Sequence, residues 1–222
     1  VREGEHRHRF TVTSSQGGLD CEHARGVVSV DEGQAARHAG RRLDVSGVPS
    51  RARFSFDRHR VYREVFSEAI GFDYGPTFQL TRTAYGLGDS TLEDLDTADV
   101  LSVTSRAFIA HPSIFDASLR AINWLGSESD CTSMVMHVPF KMDEIVLVGD
   151  LNDARYAVAT PGVRAIEGGR VRTHDLDILS ENGEVLAHVS GFTLRPLSFE
   201  DSAYPPRIFS RELAPVDLEP AS

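Results

Sequence analysis

The run from His111 to Leu125, HPSIFDASLRAINWL, constrains the fold more than any other stretch. Pro112 suits a first helical turn, where its missing N–H is not needed. No glycine or further proline interrupts the run until Gly126. Ile114, Phe115, Ala117, Leu119, Ala121, Ile122, Trp124 and Leu125 cover most of the circumference. This predicts a helix enclosed by other elements rather than one lying on a surface. The polar side chains form a line. Asp116, Arg120, Asn123 and Ser127 fall at i, i+4, i+7 and i+11, so the first three share a face. A carboxylate on such a helix is a candidate functional group, because burying it uncompensated is costly.

The material to enclose that helix comes from 222 residues, 41% of them hydrophobic, enough for one substantial core or two small ones. The net charge of −10 argues against a nucleic-acid or anionic-membrane partner. No apolar run reaches the roughly 18 residues of a membrane span. The opening VREGEHRHRF lacks the apolar core of a signal sequence, so a cytoplasmic location is expected. Cys21 and Cys131 are expected as reduced thiols, with a single bridge between them as the alternative. Neither has the spacing of a zinc ligand set, and no metal site is expected. Lys141 is the sole lysine among the basic residues, a skew that points to a GC-rich, bacterial coding genome.

Before the helix, RHRFTVTS and DCEHARGVVSV alternate like strands, and Gly17-Gly18 supplies a tight reversal between them. This predicts a hairpin, which must pack on something to be stable. Residues 31–60 are polar and predict a surface linker. Between Arg37 and Arg63, eight arginines (37, 41, 42, 51, 53, 58, 60 and 63) are opposed only by Asp44 and Asp57. They read either as a solvated linker or as a docking patch for an acidic partner. Tyr62–Ile70 has helical spacing and Gly71 ends it. In GFDYGPTFQ, Gly75-Pro76 forces a turn among Phe72, Tyr74 and Phe78.

LTRTAYGLG, TLEDLDT and VLSVTSRAF predict short strands before the helix. SMVMHVPFKMDEIVLVG, DARYAVATPGV, GGRVRTHDLDILS and VLAHVSGFTLRPLS predict more after it. Glu181-Asn182-Gly183 marks a hairpin. The proline-rich segment from Ser202 onward predicts an extended exit tail. The expectation is an α+β hot-dog fold, an antiparallel sheet wrapped around one long central helix.

Several landmarks then fall in order. GFDYGPTFQ resembles the G-x-x-Y-G-P-x-F-Q signature of polyketide synthase dehydratase domains. HPSIFDASLRA resembles that family's H-P-x-x-x-D-A motif. VPFKMDEIVL and LAHVSGFTLRPLS are similar to its later strands, and HRFTVTS with CEHARGVVSV to the final hairpin of its first half. The resemblance implies the carboxy-terminal part of a double hot dog. Residues 1–30 are then the last hairpin of a first unit, 31–60 an Arg-rich linker, 61–200 a complete unit, and 201–222 the exit tail.

The activity the resemblance implies is removal of water from a β-hydroxyacyl thioester. The substrate rides on the phosphopantetheine arm of an acyl carrier protein, and no other cofactor is implied. Asp116 is the implied acid, with Arg120, Tyr74, Gly75, Pro76 and Phe78 as implied substrate-binding residues. Acyl carrier protein and other synthase domains are the implied partners, and a homodimer is left open.

Two departures from the family stand out. The family's base is a histidine in H-x-x-x-G-x-x-x-x-P, and none of the nine histidines begins that pattern. The base is therefore expected outside this sequence, and His23 is not promoted to the role. The residue four after the aspartate is usually Gln or His, and here it is Arg120, which favours an ionised Asp116. The alternatives are a non-catalytic acyl-binding or structural hot dog, or a double-bond isomerase or cyclase on the same fold. His111 and Trp124 are expected to be structural, and Asn123 has no assigned role.

Overall fold

Alternating apolar residues on successive short strands build one antiparallel sheet around the central helix. The computed structural model describes residues 7–16, 19–104, 108–125, 137–162 and 172–196. Cys131, Ser127 and the exit tail lie outside these residues. The sheet runs β3 (Phe54–Asp57), β4 (Thr81–Gly86), β5 (Thr91–Leu95), β8 (Ala154–Pro161), β9 (Arg172–Ser180), β10 (Val185–Pro196). Along its far edge β10 carries two short strands end to end, β6 (His137–Lys141) and β7 (Glu144–Leu147). Every pairing is antiparallel.

The central helix α4 (Pro112–Leu119) packs against one face of the sheet. Ile114, Ala117, Ala121, Ile122 and Leu125 are buried there with Leu95, Ala157, Ala159, Leu176, Ile178, Ala187, Val189 and Phe192. Alanines on β8 and β10 leave room for the helix to approach the sheet. The expected long helix is only partly α-helical. After Leu119 it tightens into a 3-10 turn over Arg120–Trp124. The Thr91 hydroxyl donates to the Ala121 carbonyl in this turn and ties it to β5. The turn also swings Trp124 into a second cluster with Phe56, Val61, Tyr62, Val65, Phe66 and Ala84.

The helix expected over Tyr62–Ile70 is a π-helix over Arg60–Ile70, closed by Gly71 at φ 78°. Its wider turn brings Val61, Tyr62, Val65 and Phe66 inward together and leaves Ala69 exposed. The strand expected from VLSVTSRAF is instead a helix, α3 (Ala98–Thr104). Its first turn starts where the Leu101 N–H bonds the Thr97 carbonyl, and the β-branched residues that suggested a strand do not outweigh that start.

The hairpin of β1 (Arg7–Gln16) and β2 (Leu19–Ser29) forms as expected. Among the described residues it pairs only with itself, and Phe10, Val12, Val27 and Val28 are exposed on it.

The segment expected as a surface linker is more ordered than its composition suggests. It holds α1 (Glu32–His38), the single turn α2 (Val48–Arg51) and the edge strand β3, so the sheet begins before residue 61. Several arginines of the run between Arg37 and Arg63 are matched by acids outside it. Arg41 pairs with Asp177, Arg42 with Glu184, Arg58 with Asp96, and Arg63 with Glu68. That pairing favours a structural use of the run over a free docking patch.

The same segment is pinned to the β9–β10 turn. The Leu43 N–H donates to the Gly183 carbonyl and the Val185 N–H to the Arg41 carbonyl, both at 2.9 Å. Gly183 has φ 76°, and a Cβ there would meet the Leu43 carbonyl. Gly183→Ala is therefore expected to destabilise the protein by about 2 kcal/mol, from the left-handed backbone and this contact together. Urea unfolding measures it, and a change within about 0.5 kcal/mol would contradict this packing.

Candidate active site

The polar line on the central helix meets a polar strip on the sheet. On β5, alternation places Thr91, Glu93 and Leu95 on the face toward the helix. Leu95 joins the core, Thr91 bonds the helix, and Glu93 lies between them with no exposed surface. On β4, Thr81 is equally buried. From the π-helix, Tyr62 brings its hydroxyl to the same place.

Arg120 ties these groups together. It is 3% exposed, so its charge must be met inside the protein. Its Nη2 donates to the Tyr62 hydroxyl at 2.7 Å and to Thr81 Oγ1 at 3.2 Å. Its Nε lies 3.6 Å from Glu93 Oε1, and its Nη1 donates to Asp116 Oδ2 at 3.0 Å. The Thr81 hydroxyl donates to Glu93, and the Thr81 N–H donates to the Tyr62 oxygen at 2.8 Å. The guanidinium also lies against the Tyr74 ring, 4.9 Å from its centroid.

Charge states follow from this packing. Burial works against the charged form of Arg120 and the neighbouring Glu93 and Asp116 favour it, and the balance holds the guanidinium charged. Burial pushes Glu93 up against the pull of Arg120 and the Thr81 hydroxyl. Tyr62 is raised and Tyr74 is pushed up to about 12, each chiefly by burial, so both stay neutral at ordinary pH. Asp116 is raised above the usual carboxylate value. Partial burial causes this, and the opposing pull of Arg120 does not cancel it. A carboxyl raised in this way is suited to giving up a proton.

The structure thus brings Asp116, Arg120 and Tyr74 together. Gly75, Pro76 and Phe78 form a neighbouring 3-10 turn that packs near α4, and all three are exposed. Only the Phe78 carbonyl reaches the cluster, accepting from Tyr62 at 3.3 Å. His111 caps α4, its Nδ1 accepting from the Ser113 N–H at 3.2 Å. His23 lies within 2.6 Å of Ser14 across the hairpin. Among the described residues, no three His, Cys, Asp or Glu side chains converge as metal ligands.

Glu93, Thr81 and Tyr62 are absent from the expected site. The available signal was Glu93 at i+2 between Thr91 and Leu95, a carboxylate on the inward face of a strand. Two open grooves lie elsewhere, one of about 340 Å³ bounded by Leu43, Val48, Leu92 and Val158, the other of about 460 Å³ bounded by Phe108, Ile109, Leu147 and Asn152. Neither is lined by Asp116 or Arg120.

Comparison with known proteins gives this cluster its context. A family model described as the polyketide synthase dehydratase N-terminal domain matches residues 41–203, which include both GFDYGPTFQ and HPSIFDASLRA. The chain belongs to the polyketide synthase dehydratase family. It is 28% identical over 163 residues to polyketide synthase PksN of Bacillus subtilis, covering 73% of this chain and 3% of PksN. It is 31% identical over 134 residues to polyketide synthase GfsA of Streptomyces halstedii, covering 60% of this chain and 2% of GfsA.

Solved structures share the dehydratase hot-dog fold. A trans-AT polyketide synthase dehydratase domain from Brevibacillus brevis superposes with a TM-score of 0.74 at 23% identity. The match covers 86% of this chain and 66% of that domain. The pyran synthase domain from module nine of the sorangicin pathway superposes with a TM-score of 0.68 at 21% identity, over 86% of this chain and 67% of that one. The chain thus spans about two thirds of these solved domains and a few per cent of the curated synthases. No helix among the described residues is long and apolar enough to cross a membrane.

Proposed function

We propose that this chain supplies the acid side of a dehydratase site, with Asp116 as proton donor. The substrate is a β-hydroxyacyl thioester carried on the phosphopantetheine arm of an acyl carrier protein. A base removes a proton from the carbon next to the thioester carbonyl. The electron pair left there forms the new double bond, and the C–O bond at the β carbon breaks. Asp116 delivers its proton to the departing oxygen, which leaves as water. The base is a histidine outside this sequence, and Asp116 is recharged before the next turnover.

The observation that carries this reading is the state of Asp116. It sits on the histidine–proline helix of a dehydratase-family chain, with its side chain 44% exposed. Its carboxyl is raised although a guanidinium stands 3.0 Å away. Tyr74, packed on Arg120, borders the same exposed side and contacts substrate, as do the exposed Gly75, Pro76 and Phe78. Residues 1–30 are the end of a first hot-dog unit, and the complete unit begins within the Arg-rich segment, which supplies its edge strand β3. The partners are acyl carrier protein and the other domains of a cytoplasmic synthase.

The test is product analysis with the full-length polypeptide and a β-hydroxyacyl thioester on its carrier protein. The expected product is the α,β-unsaturated thioester, lighter by one water. Recovery of unchanged substrate, or of a cyclic or double-bond-shifted product alone, would overturn the reading.

A further inference from the structure

We infer that Glu93 is a positioning residue for Asp116: it holds the Arg120 guanidinium toward the sheet and balances its charge, leaving the aspartate free to act as a proton donor. This rests on the reading of Asp116 as that donor. Three ionisable groups differ in depth from the interior outward. Glu93 has no exposed surface, Arg120 is 3% exposed, and the Asp116 side chain is 44% exposed. The guanidinium lies 3.6 Å from Glu93 on one side and 3.0 Å from Asp116 on the other.

An arginine beside an aspartate, acting alone, strips the proton from it. Here the same guanidinium already faces a second carboxyl from behind: burial raises Glu93, but the guanidinium 3.6 Å away, which cannot give up its proton, favours its charged form. That inner pairing lies wholly out of water, where attraction is screened least. The Thr81 hydroxyl reinforces it, bonding Glu93 and accepting from Arg120. Thr81 and Tyr62 fix the guanidinium in place but are neutral and cancel none of its charge.

The remaining charged and titratable groups on the surrounding elements are otherwise engaged. On β5, Asp94 pairs with Arg155, and on β4, Arg82 pairs with Asp96. Tyr62 and Tyr74 face Arg120 as neutral phenols. His111 caps the start of α4. Among the described residues, Glu93 is therefore the anion that matches Arg120 from the interior.

The experiment follows the Asp116 carboxyl by carbon-13 NMR across pH in the intact polypeptide, with turnover of the β-hydroxyacyl thioester measured over the same range. In Glu93→Gln the Asp116 titration moves to lower pH. A proton donor governs the limb on which turnover falls as pH rises, so that limb moves down with it. Turnover at neutral pH drops on the order of tenfold. Glu93→Gln combined with Arg120→Gln removes both charges and returns the Asp116 titration close to the wild-type position.

A merely structural role for Glu93 would reduce stability and turnover at every pH without moving either midpoint. An unmoved Asp116 titration in folded Glu93→Gln would therefore overturn the inference. If the single variant does not fold, the double variant decides: a titration close to the wild-type position supports the inference, and one well above it, as removal of an unbalanced guanidinium gives, overturns it. Full dehydration by Asp116→Asn would instead overturn the donor reading, and the carboxyl titration still judges the link between Glu93 and Asp116.

Discussion

Asp116→Asn is expected to slow dehydration by on the order of 10²–10⁴-fold while leaving the fold in place. Asparagine matches the shape of aspartic acid but has no acidic proton to give the departing hydroxyl. Its cost to stability is small for two reasons. The side chain is 44% exposed, and an ion pair at that exposure contributes at most about 1 kcal/mol. Arg120 also keeps Glu93, Tyr62 and Thr81 as partners. Single-turnover formation of the unsaturated thioester, paired with a urea unfolding curve, separates the two effects. A loss of activity matched by a comparable loss of folded protein would mean that Asp116 serves the fold rather than the reaction.

Arg120→Ala is expected to have the largest effect on stability, about 3–5 kcal/mol. It leaves Glu93 as a buried carboxylate without a counter-charge, on a strand at the centre of the protein. It also removes the donor that the Tyr62 and Thr81 oxygens accept from, and the cation packed on the Tyr74 ring. Replacing the pair together, Arg120→Met with Glu93→Leu, is expected to recover most of that loss, because an apolar pair of similar volume strands no charge. Urea unfolding of the single and double variants measures the difference. Equal destabilisation in both would show that packing of the arginine stem, not the buried charge, sets the cost.

The sequence made the central helix legible because its apolar residues cover most of a cylinder between Pro112 and Gly126. It could not show that the helix tightens at Arg120, since that depends on Thr91 taking the Ala121 carbonyl and on the packing of Trp124. Asp116 and Arg120 were readable at i and i+4. Glu93 was not, because one strand of alternating residues does not say which face is buried, and its partner is contributed by a distant helix. The arginine run was ambiguous for the same reason. Asp177, Glu184 and Asp96, which neutralise part of it, come from other strands or the ends of them. VLSVTSRAF (100–108) reads as strand because Val100, Val103 and Thr104 are β-branched, whereas Val100 packs into the core from a helix.

The most direct measurement is the titration of the Asp116 carboxyl set beside the pH profile of turnover. Burial lifts this group above its ordinary value of 3.8 despite Arg120. A donor must be protonated to act, so activity is retained below that raised midpoint and falls as pH rises through it. The expected result is a carbon-13 titration above 3.8 whose midpoint coincides with the limb on which single-turnover dehydration declines with rising pH. A titration at or below 3.8, or a declining limb that persists unchanged in Asp116→Asn, would contradict the assignment of Asp116 as the proton donor.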